Sequence, residues 1–124
     1  MREIRDGNMK FLFCGDRHWT NIEKIREILT PLLREGDIVI HGGAPGVDTI
    51  CGNVAKELGF IPRVFQAMWE RYGDAAGPIR NSMMLKEKPD IVYAFHNNIE
   101  HSKGTKDTVD KAKKKGIPVI IITE

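Results

Sequence analysis

The chain lacks much that would point to common protein roles, and each shortage narrows what it does. Its 124 residues include only two cysteines, Cys14 and Cys51. They fit no metal-binding or disulfide-framework spacing, and a reducing compartment suits them. No stretch approaches the roughly 20 apolar residues of a membrane span. The opening Met1-Arg-Glu-Ile-Arg-Asp lacks the apolar core of a signal peptide. Nineteen basic residues against 17 acidic leave a net charge of +2, too mild for the basic footprint of a nucleic-acid binder. Aromatic residues make up 7% of the chain, which leaves few rings to stack the bases of a single strand. Together these shortages point to a cytoplasmic domain with no membrane partner, and they weigh against nucleic acid. One domain over residues 1–124 is expected, long enough to bury roughly two thirds of its unfolded surface. No internal repeat or interdomain linker interrupts it.

Glycine, by contrast, is concentrated where it says most. In Asp37-Ile-Val-Ile-His-Gly-Gly-Ala-Pro-Gly-Val-Asp48 a short apolar run stops at a glycine cluster, and an amphipathic segment from Val47 to Leu58 follows at once. A buried strand feeding a helix through a tight loop reads this way. Gly42, Gly43 and Gly46, with Ala44 between them, let the backbone turn sharply and approach a ligand closely. The first-turn amides and the dipole of the following helix favour an anion there, phosphate above all. The loop has no Gly-Lys-Ser/Thr ending, and His41 occupies the place of the first glycine of G-x-G-x-x-G, so it is neither common phosphate motif. A plain strand-to-helix turn explains the same glycines equally well.

Periodicity supplies the rest of the architecture. Phe11–Cys14 reads as a strand. Ile22, Ile25, Ile28, Leu29, Leu32 and Leu33 recur at helical spacing, with Gly36 as the stop. Residues 61–67 read as a strand with Pro62 at its start or edge. A helix is expected over 75–86 with Pro78 in its first turn, a strand over 91–95, a helix over 105–115 and a last strand over 117–122. Near-continuous apolar strands alternating with helices predict an α/β Rossmann-like three-layer sandwich, with about five mainly parallel strands covered on both faces.

Ligands of such sheets bind beyond the carboxyl ends of the strands. Strand one delivers Gly15, Asp16, Arg17, His18 and Trp19 there, and strand two the glycine loop. Strand three leads to Trp69 and to Gly77, Arg80 and Asn81, and strand four to His96 and to Ser102, Lys103, Gly104 and Thr105. Arginine forks match phosphate, and a tryptophan face stacks a base or packs the core. Asp48, in the first turn of its helix, either opposes the dipole or takes a ribose hydroxyl. Met83 and Met84 read as core filling. Lys111, Lys113, Lys114 and Lys115 read as a solvated helix end. Cys14, His41 and His96 lie near strand ends without a tight ligand motif, so no metal and no cofactor are expected.

The ordered set Gly15, Arg17, Gly42, Gly43, Gly46, Asp48, Trp69, Ala76, Gly77, Arg80, Asn81, Met84, Gly104 and Thr105 resembles the YspA-like branch of the SLOG superfamily. The resemblance implies a Rossmann-like fold that binds a nucleotide or nucleotide-derived ligand. It also brings two relatives, the LOG phosphoribohydrolases and the DprA DNA-processing proteins. LOG enzymes carry Arg-Lys-x-x-Met and Pro-Gly-Gly-x-Gly-Thr-x-x-Glu. Here Arg80-Asn-Ser-Met-Met84 keeps the arginine and methionine but has Asn81 for the lysine. His101-Ser-Lys-Gly-Thr-Lys-Asp-Thr108 keeps Gly104 and Thr105 but has Thr108 for the glutamate.

The expected function is therefore binding of an ADP-ribose-like molecule or nucleoside phosphate, as sensor, carrier or sequestering protein. The alternative is an N-glycoside hydrolase releasing base from a nucleoside phosphate. Its carboxylate would be Asp107, Asp48 or Asp16, acting with Arg80, because such chemistry needs one to steady the oxocarbenium-like centre or activate water. DprA-like binding of single-stranded DNA is a second alternative. Homo-oligomerisation is implied only by the relatives.

Overall fold

Five short apolar runs become the strands of one sheet in the computed structural model, which describes residues 7–124; the reading of Met1–Asp6 lies outside them. The strands are β1 (Lys10–Gly15), β2 (Ile38–His41), β3 (Arg63–Val64), β4 (Ile91–Phe95) and β5 (Val119–Ile122). Every adjacent pair is parallel, in the order β3-β2-β1-β4-β5. The helices are α1 (Ile22–Leu32), α2 (Val47–Glu57), the one-turn α3 (Trp69–Tyr72), α4 (Ala76–Lys86) and α5 (Gly104–Lys114). After β1 the chain winds outward through β2 and β3, then crosses back to β4 on the other side. The carboxyl ends of β1 and β4 therefore flank the point where the winding reverses, which is where such sheets open a crevice.

Alternation along the central strands sends side chains to two separate cores. Phe11 and Phe13 point to one face and pack with Ile25 and Leu29 of α1 and with Val47, Cys51 and Val54 of α2. Leu12 and Cys14 point to the other, against Met84 and Leu85 of α4 and Val109 and Ala112 of α5. Burying one such large side chain contributes roughly 1.5–3 kcal/mol, so these two layers hold the sheet between its helices. The expected three-layer sandwich is thus present, and its parallel character is complete.

Local details depart from the expected boundaries for identifiable reasons. The strand expected over 61–67 is ordered as a strand only at Arg63–Val64. It lies at the sheet edge, Pro62 has no N–H to pair, and Ile61 is exposed. Helix α1 ends at Leu32, before Gly36, with Pro31 in its last turn. The buried Asp37 carboxylate then takes the N–H groups of Met9 and Arg34, both at 2.9 Å. Met84 is buried as expected, but Met83 is exposed, because one step along a helix turns a side chain by about 100°. Trp19 does not reach the crevice. Its ring lies edge-on to Phe95, with centroids 5.8 Å apart, and its indole N–H donates to Asn21 O at 2.8 Å.

The carboxyl end of β1 is held by very close backbone approaches. Asp16 N–H donates to Phe95 O at 2.9 Å, and Val47 N–H donates to Asp16 O at 3.1 Å. Gly46 has φ +75, and a Cβ there would fall 2.3 Å from Asp16 O. Gly116, at the end of α5, has φ +74 with open space around it. Gly116→Ala should therefore cost only the conformational strain, about 1–2 kcal/mol. Gly46→Ala adds a backbone collision and should cost at least about 3 kcal/mol. Urea denaturation of the two variants checks the ordering; equal losses would mean that Gly46 is a turn glycine and nothing more.

Candidate functional site

A cleft of about 940 Å³ opens beyond the carboxyl ends of the strands. Of the residues singled out from sequence, Gly15, Asp16, Arg17, Gly42, Gly43, Ala44, Asp48, Trp69, Gly77, Arg80, Asn81, Ser102, Gly104, Thr105 and Asp107 all line it. Gly46 does not: it backs onto Asp16 and Arg17 and joins two loops. Residues that the motifs did not mark also line the cleft, among them Gln66 and Asp74. A Cβ on Gly43 would fall 2.5 Å from Gln66 Nε2. Gln66 lies just beyond the third strand, and no sequence motif marks it.

The glycine loop is organised by its own neighbours. Asp48 Oδ2 accepts the N–H groups of Gly42 and Ala44, at 3.1 and 3.3 Å. His41 Nδ1 accepts the Gly43 N–H at 3.0 Å. Burial drives the Asp48 carboxyl up from 3.8 to about 6, against the lowering effect of the Ala44 and Gly42 amides and the Arg80 charge. Burial, with the positive charges of Lys56 and Arg80, pushes His41 down from 6.5 to about 4. Burial and the Asp48 charge raise the thiol of Cys14, at the cleft floor, and that of Cys51, so both stay protonated and unreactive.

Arg80 and Asn81 connect this loop to the opposite wall. Arg80 Nη1 donates to Gly42 O and its Nε to Asn81 Oδ1, the latter at 2.9 Å. The Asn81 amide donates to Asp107 Oδ2 at 3.0 Å and to Gly104 O at 3.3 Å. Lys111 lies 2.9 Å from Asp107 Oδ2 and also donates to Pro78 O at 2.9 Å, so it ties α5 to α4 rather than ending a solvated face. Ser102 Oγ accepts the Thr105 N–H at 3.0 Å and caps α5. Thr108 is buried, its hydroxyl donating to Gly104 O. Among the described residues, Arg17 and Lys103 form no ion pair, and Trp69 is 57% exposed at the lip, its ring near Gly77.

Anion recognition and stacking are within reach of this arrangement. Two of its carboxylates contrast: Asp48 is buried and consumed by the loop, whereas Asp107 is held at the cleft by an amide and an ammonium. Among the described residues no group of three His, Cys, Asp or Glu side chains could hold a metal ion, and His41 uses Nδ1 on the loop.

The two buried titrations have opposite effects on stability. Asp48 binds its proton more tightly folded than unfolded, so its contribution is fully present below pH 3.8 and is lost as pH rises through about 6. His41 binds its proton more weakly folded, so its contribution is present above pH 6.5 and is lost as pH falls through about 4. Between about pH 4 and 6 the two slopes, each about 1.4 kcal/mol per unit, cancel. Asp48→Asn should unmask the histidine and make the protein lose stability on acidification relative to wild type. His41→Asn should do the reverse. Chemical denaturation at pH 4.5, 5.5 and 7 reads both; parallel curves for all three proteins would reject the assignment.

Comparison with known proteins places this cleft in context. A model of the YspA, cpYpsA-related SLOG family (YAcAr) matches residues 9–72, the stretch from β1 through the glycine loop to α3. The chain is also 34% identical over 119 residues to the Gene 61 protein of Mycobacterium phage D29, covering 90% of this chain and 94% of that protein. No solved structure matches. Among the described residues no helix is long and apolar enough to cross a membrane. The family model spans just over half of the chain, and the chain belongs to the YspA, cpYpsA-related SLOG family.

Proposed function

We propose that the cleft binds a phosphorylated nucleoside or a nucleotide-derived molecule of the ADP-ribose type, as a cytoplasmic sensor, carrier or sequestering protein. The observation that carries this reading is the meeting of Arg17, Arg80 and Lys103 with the exposed Trp69 ring around one cleft of about 940 Å³. That volume lies within the roughly 300–1,000 Å³ of small-molecule sites. The cations suit phosphate, the indole face suits a base, and Asp107 suits a ribose hydroxyl. Micromolar affinity requires about 8 kcal/mol. A hydrogen bond from a charged group supplies about 1.5–3 kcal/mol, so several of these loops act together. Family membership favours the same ligand class.

One observation favours hydrolysis as a second reading. Asp107 is held towards the cleft by Asn81 and Lys111, a carboxylate one residue before Thr108. It offers the negative charge that an oxocarbenium-like centre needs.

Mass spectrometry of small molecules released on denaturing the purified protein, with a thermal-shift panel of nucleotides, tests the first reading. An intact nucleotide, or a shift of several degrees with one panel member, is the expected outcome. Neither result appearing would remove it. Arg80→Ala should weaken that ligand about 10- to 100-fold, read by calorimetry, while the far-UV spectrum stays unchanged. If the protein releases free base from the bound ligand, Asp107→Asn should abolish release and leave binding within about threefold. A variant as active as wild type would place the chemistry elsewhere.

A further inference from the structure

The backbone amides of Gly42, Gly43 and Ala44 have partners inside the chain. Gly42 and Ala44 donate to a single oxygen of Asp48, at 3.1 and 3.3 Å, and Gly43 donates to His41 Nδ1. At the start of α2 the Val47 N–H goes to Asp16 O. Converging amides of this kind make a concavity that accepts an anion. Here the anion is a side chain of the same loop-helix unit, 5% exposed.

We propose that Asp48 is the built-in occupant of the glycine-loop anion nest, and that it bars phosphate from this loop and sends a ligand's phosphate to the arginine side of the cleft. A second contact locks the arrangement from the other polarity. Arg80 donates to Gly42 O, so the same peptide segment is gripped through its amides by a carboxylate and through its carbonyl by a guanidinium. Phosphate entering the nest would have to displace a buried carboxylate from two hydrogen bonds and then sit beside its charge. A ribose hydroxyl or a base edge over the loop meets neither obstacle. The loop therefore selects neutral hydrogen-bonding groups, and Arg17, Lys103 and the outer face of Arg80 receive the phosphate. The placement of a ligand's parts rests on the nucleotide reading. The occupation of the nest does not, and its test uses inorganic phosphate alone.

The full chain, ¹⁵N-labelled, is titrated with inorganic phosphate while the Gly42 and Ala44 amide resonances are followed. In the wild type both should stay in place at phosphate concentrations up to tens of millimolar. Asp48→Ser withdraws the acceptor, and both resonances should then move saturably, with the melting temperature rising by a few degrees. Asp48→Asn keeps an acceptor oxygen in the nest without its charge and should behave as wild type. Saturable movement of these two amides in the wild type or in Asp48→Asn would overturn the proposal, as would a folded Asp48→Ser protein whose amides ignore phosphate. Should Asp48→Ser not fold, the other two proteins decide it. A wild-type nest closed to phosphate in a protein that binds no nucleotide would leave the assignment of Asp48 standing and remove only the nucleotide reading.

Discussion

Three backbones meet at the end of β1, and the closeness of that meeting governs the whole carboxyl edge of the sheet. Asp16 donates to the last residue of β4 and accepts from the first residue of α2. A Cβ on Gly15 would lie 2.3 Å from Phe95 O and 2.6 Å from a methyl of Val47. No side chain fits between these elements. Two glycines, one on each side of the gap, allow β1, β4 and α2 to lock together by main-chain hydrogen bonds, which do not depend on side-chain rotamers. The switch point of the sheet is thereby a rigid frame, and the loops that leave it are aimed by that frame.

From that frame the electrostatics follow. With α2 seated against Asp16, its first-turn aspartate falls under the loop that precedes it, and the loop closes over the carboxylate. Burying a charge is costly unless it is paired and hydrogen-bonded. Two amides and the nearby Arg80 partly meet that cost, and the raised proton affinity of Asp48 is what remains of it. Arg80 then links the loop to Asn81, and Asn81 links α4 to Asp107 on α5. The cleft walls are one hydrogen-bonded chain running from the end of β2 to α5.

Much of this is legible in the amino-acid sequence. The apolar runs and helical spacings named the elements, and Gly42, Gly43, Arg17, Arg80 and Asp107, singled out from the sequence, line the cleft, whereas Gly46 does not. Burial follows from local periodicity, because a residue's face of a strand or helix is set by its neighbours along the chain. The unread parts share a different cause. Trp19 left the crevice because a turn stabilised by the Asp16 side chain, which accepts the His18 N–H, swings it towards Phe95. Gln66 and Lys111 acquired roles only through partners far away in sequence.

The same division separates what each level decided. Sequence alone determined the alternation of strands and helices, the parallel character of the sheet and the edge at which the cleft opens, since all three depend on patterns a few residues long. Tertiary structure decided which glycines approach another backbone, which of two acidic residues is buried and which faces the cleft, and where the loop's amides point. Those outcomes depend on distances among β1, β2, α2, α4 and α5 together, and a shift of one ångström in any of them would make or break the hydrogen bonds concerned.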